Sequence, residues 1–407
     1  MGGRFARIRQ NPYRKNVGKK GVDKTALLWY SECATKQKTK IPGLLASKAG
    51  RTTRNQKDGC CTMDYNTRYQ NAQVLVSADG EVVTLSDRRF DWRERKEKTM
   101  VLYELYEKAG YPEYAARTRD CATFLQFNVY QSGERRLKTA NFCKLRLCPM
   151  CISRRARRSA WKLSQVLDKV EAEHGAKYLF LTLTMKNVLG DQLGDALGQL
   201  TKAWYRLMDQ KQIERSVKGW FRAIEITRSG KQYHPHLHAI LAVEPDYFSR
   251  ESRKSGKYLN QSDLIERWQK ALRVDYRPSV RIQTTKGKAG TGEAVRSAGG
   301  RSAVEAAKYA VKDEDYIDPK LPEREAVRIL TDYTHALRNR RLTAFGGWLK
   351  DAAHALDAED LDDGDLVHTE EETIRDDLIE MVEGFNWHFG AGDFILSSRE
   401  INLLDVK

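Results

Sequence analysis

The chain has 407 residues, about two-fifths of them apolar, which allows two or three domains and at least one sizeable core. Its formal net charge of +16 points to a polyanionic partner, nucleic acid before any other, and away from a hydrolase of small substrates. Seven cysteines, an odd number in a long chain, argue against a secreted disulfide framework and for reduced thiols or metal ligands in a cytoplasm. No apolar run predicts a membrane span, and Met1 to Lys20 lacks the apolar segment of a signal peptide.

In chain order, residues 1 to about 60 are rich in Arg and Lys and read as a partly disordered basic arm, within a basic amino-terminal region over 1–115. Helical sequence follows over 90–118. Ser153 is expected to open a helix from Arg154 to His174. Its first turn is basic (Arg154, Arg155, Arg157, Arg158), an apolar stripe runs from Trp161 to Val170, and Gly175 suits its end. From Tyr178 the pattern becomes α+β. Strands are predicted over Tyr178–Met185, Trp220–Thr227, Pro235–Val243 and Val280–Thr284. Helices are predicted over Asp191–Met208, from a cap at Ser262 to Leu272, and over Ser302–Lys312, Glu323–Arg340 and Gly347–Leu356. A glycine-rich loop spans Gly287–Gly300, and acids dominate from Asp351 to Glu383, so 351–407 reads as an acidic tail.

Three constellations carry chemistry. Cys121, Cys143, Cys148 and Cys151 fall within one short stretch and end in Cys148-Pro149-Met150-Cys151. Four soft thiolates with a CxxC bite suit a structural zinc ion, in a module over 116–158. The arginines that follow would place positive charge beside it, against DNA phosphates. Cys33, Cys60 and Cys61 have no such pattern. The second constellation is Tyr233-His234-Pro235-His236-Leu237-His238. Alternation along a strand puts His236 and His238 on one face, with Leu237 and Ala239 toward the core. His234 shares their parity, although Pro235 can disturb the geometry. Glu225, flanked by Ile224 and Ile226 on the strand before, is either the third metal ligand or an edge carboxylate facing water. Two imidazoles and a carboxylate suit Mg²⁺ or Mn²⁺ on a phosphate, and also accept zinc.

The third is Val304-Glu305-Ala306-Ala307-Lys308-Tyr309-Ala310-Val311-Lys312. On a helix Glu305 lies four residues before Tyr309 and Lys312 three after it, so both flank the phenol. A nucleophilic tyrosine needs nearby positive charge or a base, which Lys312 and the metal supply; Glu305 is placed to direct a water or take a proton.

Phe180-Leu-Thr-Leu-Thr, Glu225-Ile-Thr, His234-Pro-His-Leu-His238 and Glu305-Ala-Ala-Lys-Tyr309, in this order, resemble the motifs of plasmid rolling-circle replication initiators in the HUH endonuclease superfamily. Cys148-Pro-Met-Cys151 with its arginines, and Arg340-Arg-Leu-Thr-Ala-Phe-Gly-Gly347, extend the resemblance over about 120–350. It implies an α+β nickase domain over 159–350, with the histidines central in a five-stranded antiparallel sheet flanked by helices. It implies that Tyr309 nicks one strand at a double-strand origin and stays joined to the 5′ phosphate, leaving a 3′ hydroxyl, and that Glu305 directs water in the closing cleavage. Origin DNA is then the expected partner, with a host helicase and polymerase and a homodimer as further expectations. An HUH transposase or relaxase, and a zinc-dependent DNA binder without catalysis, are the competing readings.

Overall fold

The computed structural model describes residues 81–87, 89–284, 311–362, 364–369 and 378–401. By contacts the chain divides into Met1–Thr62, which lies outside the described residues, and Met63–Lys407. The described part opens with α1 (Trp92–Lys108), capped by Asp91, and α2 (Pro112–Asp120). The hairpin β1 (Phe124–Tyr130) and β2 (Arg135–Ala140) leads to the long helix α3 (Pro149–His174). Then come β3 (Lys177–Thr184), α4 (Leu193–Met208), α5 (Lys211–Ser216), β4 (Val217–Ser229) and β5 (Gln232–Val243). They are followed by α6 (Arg250–Lys254), α7 (Gln261–Leu272) and β6 (Val280–Thr284). The last elements are α8 (Glu323–Leu337), β7 (Thr343–Gly347), α9 (Trp348–Ala355), β8 (Ile379–His388) and β9 (Asp393–Ile401).

A five-stranded sheet runs in the order β6-β3-β5-β4-β7 with antiparallel neighbours. Strand alternation gives it two different faces. Leu179, Leu181 and Leu183 of β3, Ile224 and Ile226 of β4, and Leu237, Ala239 and Leu241 of β5 share a core with the apolar stripes of α4, α7 and α8. On the other face Tyr178, Phe221, Ile240 and Ala242 pack against Leu163, Val166, Leu167 and Val170 of α3 and Leu349, Ala352 and Ala353 of α9. Those two helices meet one half of that face. Glu225, His236 and His238 lie along the same face, nearer the β4–β5 turn.

The second sheet, β2-β1-β8-β9, corrects the sequence reading. An acidic appendage was expected from 351 onward. Instead β8 pairs along the whole of β1, from Phe124 opposite Asn386 to Tyr130 opposite Ile379. Phe385 and Leu396 are buried there with Phe127 and Trp92. The module expected over 116–158 and the described part of the tail are therefore one structure, within the unit Met63–Lys407.

Two helix starts also differ from expectation. Helix α3 begins at Pro149, not Arg154, with Cys148 as its extended N-cap residue, because proline suits a first helical position. Helix α7 is capped by Asn260, whose side chain accepts from the Asp263 amide at 2.9 Å, two residues before the expected cap at Ser262. Gly175 ends α3 in the left-handed conformation, φ 61°, as the sequence predicts. Much of the helix expected over 302–312 and the loop over 287–300 lie outside the described residues.

Candidate metal centre

Register places the first three candidate ligands together. Glu225 of β4 stands directly opposite His236 of β5, and His238 follows two residues on, opposite Ala223. Glu225 Oε2 lies 3.1 Å from His236 Nε2 and 2.6 Å from His238 Nε2. Glu225 is thus not an edge residue facing water: it is buried, opposite His236 and beside His238. Burial would raise its carboxyl pKa, but the hydrogen bonds and charge of the two imidazoles hold it well below the usual carboxylate range.

The outer nitrogens of both rings are also engaged. His236 Nδ1 lies 3.2 Å from the carbonyl oxygen of His234, and His238 Nδ1 lies 3.3 Å from Thr182 Oγ1. The Phe180 ring stacks on His238 with centroids 5.5 Å apart. Since a carbonyl only accepts, His236 donates from Nδ1 and can turn the Nε2 lone pair toward Glu225. A lone pair cannot rest against a carboxylate oxygen without a proton or a cation between them. Three convergent donors, fixed from behind, therefore fit a divalent cation. His234 is half-buried beside His236, ring centroids 5.5 Å apart, and is not one of the three convergent ligands. Burial, then the charge of His236, lowers its pKa. Thr182 and Phe180 lie in the Phe180-Leu-Thr-Leu-Thr run, and alternation along β3 puts both on the face of His238.

The four cysteines converge as well. Cys121 follows α2, Cys143 follows β2, and Cys148 and Cys151 occupy the N-cap and first turn of α3. Cys121 to Cys151, Cys143 to Cys151 and Cys148 to Cys121 are each separated by 3.6 Å between sulfurs, far beyond a disulfide bond of about 2.05 Å. A tetrahedral zinc thiolate with bonds of about 2.3 Å sets its sulfurs about 3.8 Å apart, so the cluster fits that ion. Burial pushes the Cys121 and Cys151 thiols up. It would do the same to Cys148, but hydrogen bonds from the other three hold that thiol well below its ordinary value. Lys96 of α1, wholly buried, donates to the carbonyls of Cys121 and Arg119 at 2.6 and 2.7 Å. It brings positive charge beside the thiolates, and sequence reasoning missed it.

The arginines after Cys151 are a correction. Arg154 is buried and donates to the carbonyls of Leu366 and Val367 at 2.9 and 2.5 Å; Arg158 is buried and donates to that of Asp360 at 2.7 Å. Arg155 donates to the carbonyls of Asp362 and Lys144, and Arg157 to that of Arg89. The basic turn of α3 thus fastens the returning chain over 360–367, and its two buried members are not presented to phosphates.

Tyr309 and Glu305 lie outside the described residues. Lys312 is described and exposed, but it is extended (φ −85°, ψ 139°), so the helix expected to run through it ends before it. The chain just beyond it is firmly held. Asp313 pairs with Arg95 and Lys98 of α1, and Tyr316 donates to the Leu147 carbonyl at 2.5 Å. Asp315 accepts from Tyr333, whose ring meets that of Tyr233, the residue before His234, at 5.2 Å. Two other tyrosines near the histidines and Lys312 are engaged elsewhere: Tyr316 and Tyr233 are both fully buried, and Tyr233 donates to Asp332 at 2.7 Å.

A replication protein family model matches residues 134–395, which include Glu225, His236, His238, Tyr309 and three of the four clustered cysteines. A protein rep of Bacillus amyloliquefaciens is 32% identical over 334 residues, 77% of this chain and 96% of its own length. A protein rep of Lactiplantibacillus plantarum is 34% identical, over 75% of this chain and 95% of its own length. One from Streptococcus pneumoniae is 32% identical, over 72% and 87%. No solved structure matches. No helix among the described residues is long and apolar enough to cross a membrane. With relatives of this extent and a family model matching residues 134–395, the chain belongs to the Rep family of plasmid replication initiator proteins.

Proposed function

We propose that this Rep protein is a rolling-circle initiator of the HUH type, which nicks one strand of its plasmid's double-strand origin through Tyr309. The convergence of Glu225, His236 and His238 on one point carries this reading. These three would hold Mg²⁺ or Mn²⁺, which when bound would polarise the scissile phosphate and offset its developing charge. Thr182 and the His234 carbonyl orient the imidazoles, and Phe180 shields one of them from water. The Tyr309 hydroxyl loses its proton and its oxygen attacks phosphorus. The bond to the 3′ oxygen breaks, that oxygen takes up a proton as a 3′ hydroxyl, and the 5′ phosphate stays on tyrosine. Lys312 favours the phenolate by charge. Glu305 directs a water in the closing cleavage, which frees the 5′ end.

Cys121, Cys143, Cys148 and Cys151 would hold a structural zinc ion that ties the end of α2, the chain after β2 and the start of α3 together. Kinship with Rep proteins favours an initiator over a transposase or relaxase. Host helicase and polymerase at the origin, and a dimer there, belong to the same reading. The test is conversion of a supercoiled plasmid carrying the cognate origin into open circles. Conversion should require Mg²⁺ or Mn²⁺ and stop with a chelator. A protein that binds the origin but leaves the plasmid supercoiled under both metals would refute the reading in favour of a non-catalytic binder.

A further inference from the structure

The face that carries the histidines continues sideways to the edge strand β6. Thr182 of β3 is paired on one side with His238 of β5 and on the other with Arg281 of β6. Directly paired residues of antiparallel strands project to the same face, so Arg281 lies in line with His238 and Thr182. Two strand spacings put its Cα about 10 Å from that of His238. Arg281 and Gln283 are exposed, while Thr182 between them and the histidines is half-buried. With the Gln283 amide turned to satisfy both groups, its oxygen accepts from Arg281 Nε and Nη2 at 3.1 and 2.7 Å. That partner is neutral, so it orients the guanidinium without cancelling its charge. Just beyond the end of β3, Lys186 is exposed, with its ammonium 4.8 Å from the centre of the Tyr276 ring.

We infer that Arg281 is a phosphate-positioning residue for single-stranded DNA, holding the strand along β6 and β3 beside the candidate metal ligands. The inference rests on the nicking reading for its purpose but not for its test. A guanidinium pre-oriented by an amide, with donors left over, suits a phosphodiester. The β3 floor beneath offers threonine hydroxyls rather than carboxylates. Lys186 and Tyr276 extend the strip with a second cation and a ring on which a base can stack.

The test uses the full chain with its zinc, a fluorescent single-stranded oligonucleotide of mixed sequence without the origin nick site, and no added Mg²⁺ or Mn²⁺, so that cleavage does not enter. Arg281→Ala should weaken binding about tenfold at low salt and reduce the log–log salt slope by about 0.7, the share of one phosphate on a single strand. Arg281→Lys should keep the slope and recover part of the affinity. Arg250→Ala, an equal change of charge beyond the far end of β5, should leave both unchanged. If Arg281→Ala binds like wild type with an unchanged slope, or if Arg250→Ala loses as much, the inference is overturned. A Mn²⁺ titration of Arg281→Ala should match wild type, since the residue is not a ligand; weakened Mn²⁺ binding would reassign it to the metal site. Failure of wild type to nick would instead overturn the function proposed above.

Discussion

Glu225 Oε2 lies between the two imidazoles, 3.1 Å from His236 Nε2 and 2.6 Å from His238 Nε2, because strand register sets Glu225 directly opposite His236. Removing both rings should therefore abolish divalent-cation binding without disturbing the fold, since Leu237 and Ala239 on the other side of the strand supply the packing. For His236→Ala/His238→Ala, Mn²⁺ binding followed by calorimetry should disappear while origin DNA is still retained in a gel shift. Undiminished Mn²⁺ binding would remove these residues from the metal site.

The cysteine cluster makes a separate prediction. Purified protein should contain one zinc ion per chain, and Cys148→Ser/Cys151→Ser should contain none. Because Cys148 and Cys151 begin α3 and Cys121 follows α2, metal loss should also lower thermal stability, by several kcal/mol given typical structural zinc sites. Elemental analysis and a melting curve decide it; wild-type protein free of zinc and equally stable would contradict it.

Arg154 and Arg158 should behave as structural residues. Arg154→Ala strands the Leu366 and Val367 carbonyls and opens a buried site, at a cost of about 1–3 kcal/mol. Its DNA affinity, measured below the melting transition, should stay within twofold of wild type. Deleting residues 378–407 should be far more damaging than loss of an acidic tail, because it strips β8 from β1 and bares Leu125 and Phe127. A truncated chain that melts like the full one would refute the second sheet.

Much of the metal centre was legible in the sequence because it depends on short-range rules. Alternation alone put His236 and His238 on one face, and a short turn brought Glu225 back beside them. The CxxC bite and the clustering of thiols pointed to Cys121 as a partner of Cys151 across 30 residues. What stayed hidden depends on distant partners. Strand β2, Arg-Arg-Leu-Lys-Thr-Ala, has too little apolar pattern to read as a strand, and β8 sits in acidic sequence. Both become strands by pairing with β1, and Gln126 meets Gly384 from the far end of the chain. The arginines of α3 misled for a related reason: a positive charge attracts DNA or the chain's own carbonyls equally well, and only the return of residues 360–367 decides between them.

The central claim is that Tyr309 forms the covalent bond to DNA. The measurement is mass spectrometry of the peptide crosslinked when the protein cleaves a single-stranded oligonucleotide spanning its origin nick site, with Mn²⁺. The account predicts a 5′-phosphonucleotide on Tyr309 and its complete loss in Tyr309→Phe. Glu305→Ala should keep the adduct and release it more slowly. Tyr316→Phe should still form it on Tyr309, since the Tyr316 hydroxyl is buried against Leu147 and pushed by that burial well above its usual pKa. An adduct on any other residue, or one that persists in Tyr309→Phe, would contradict the account.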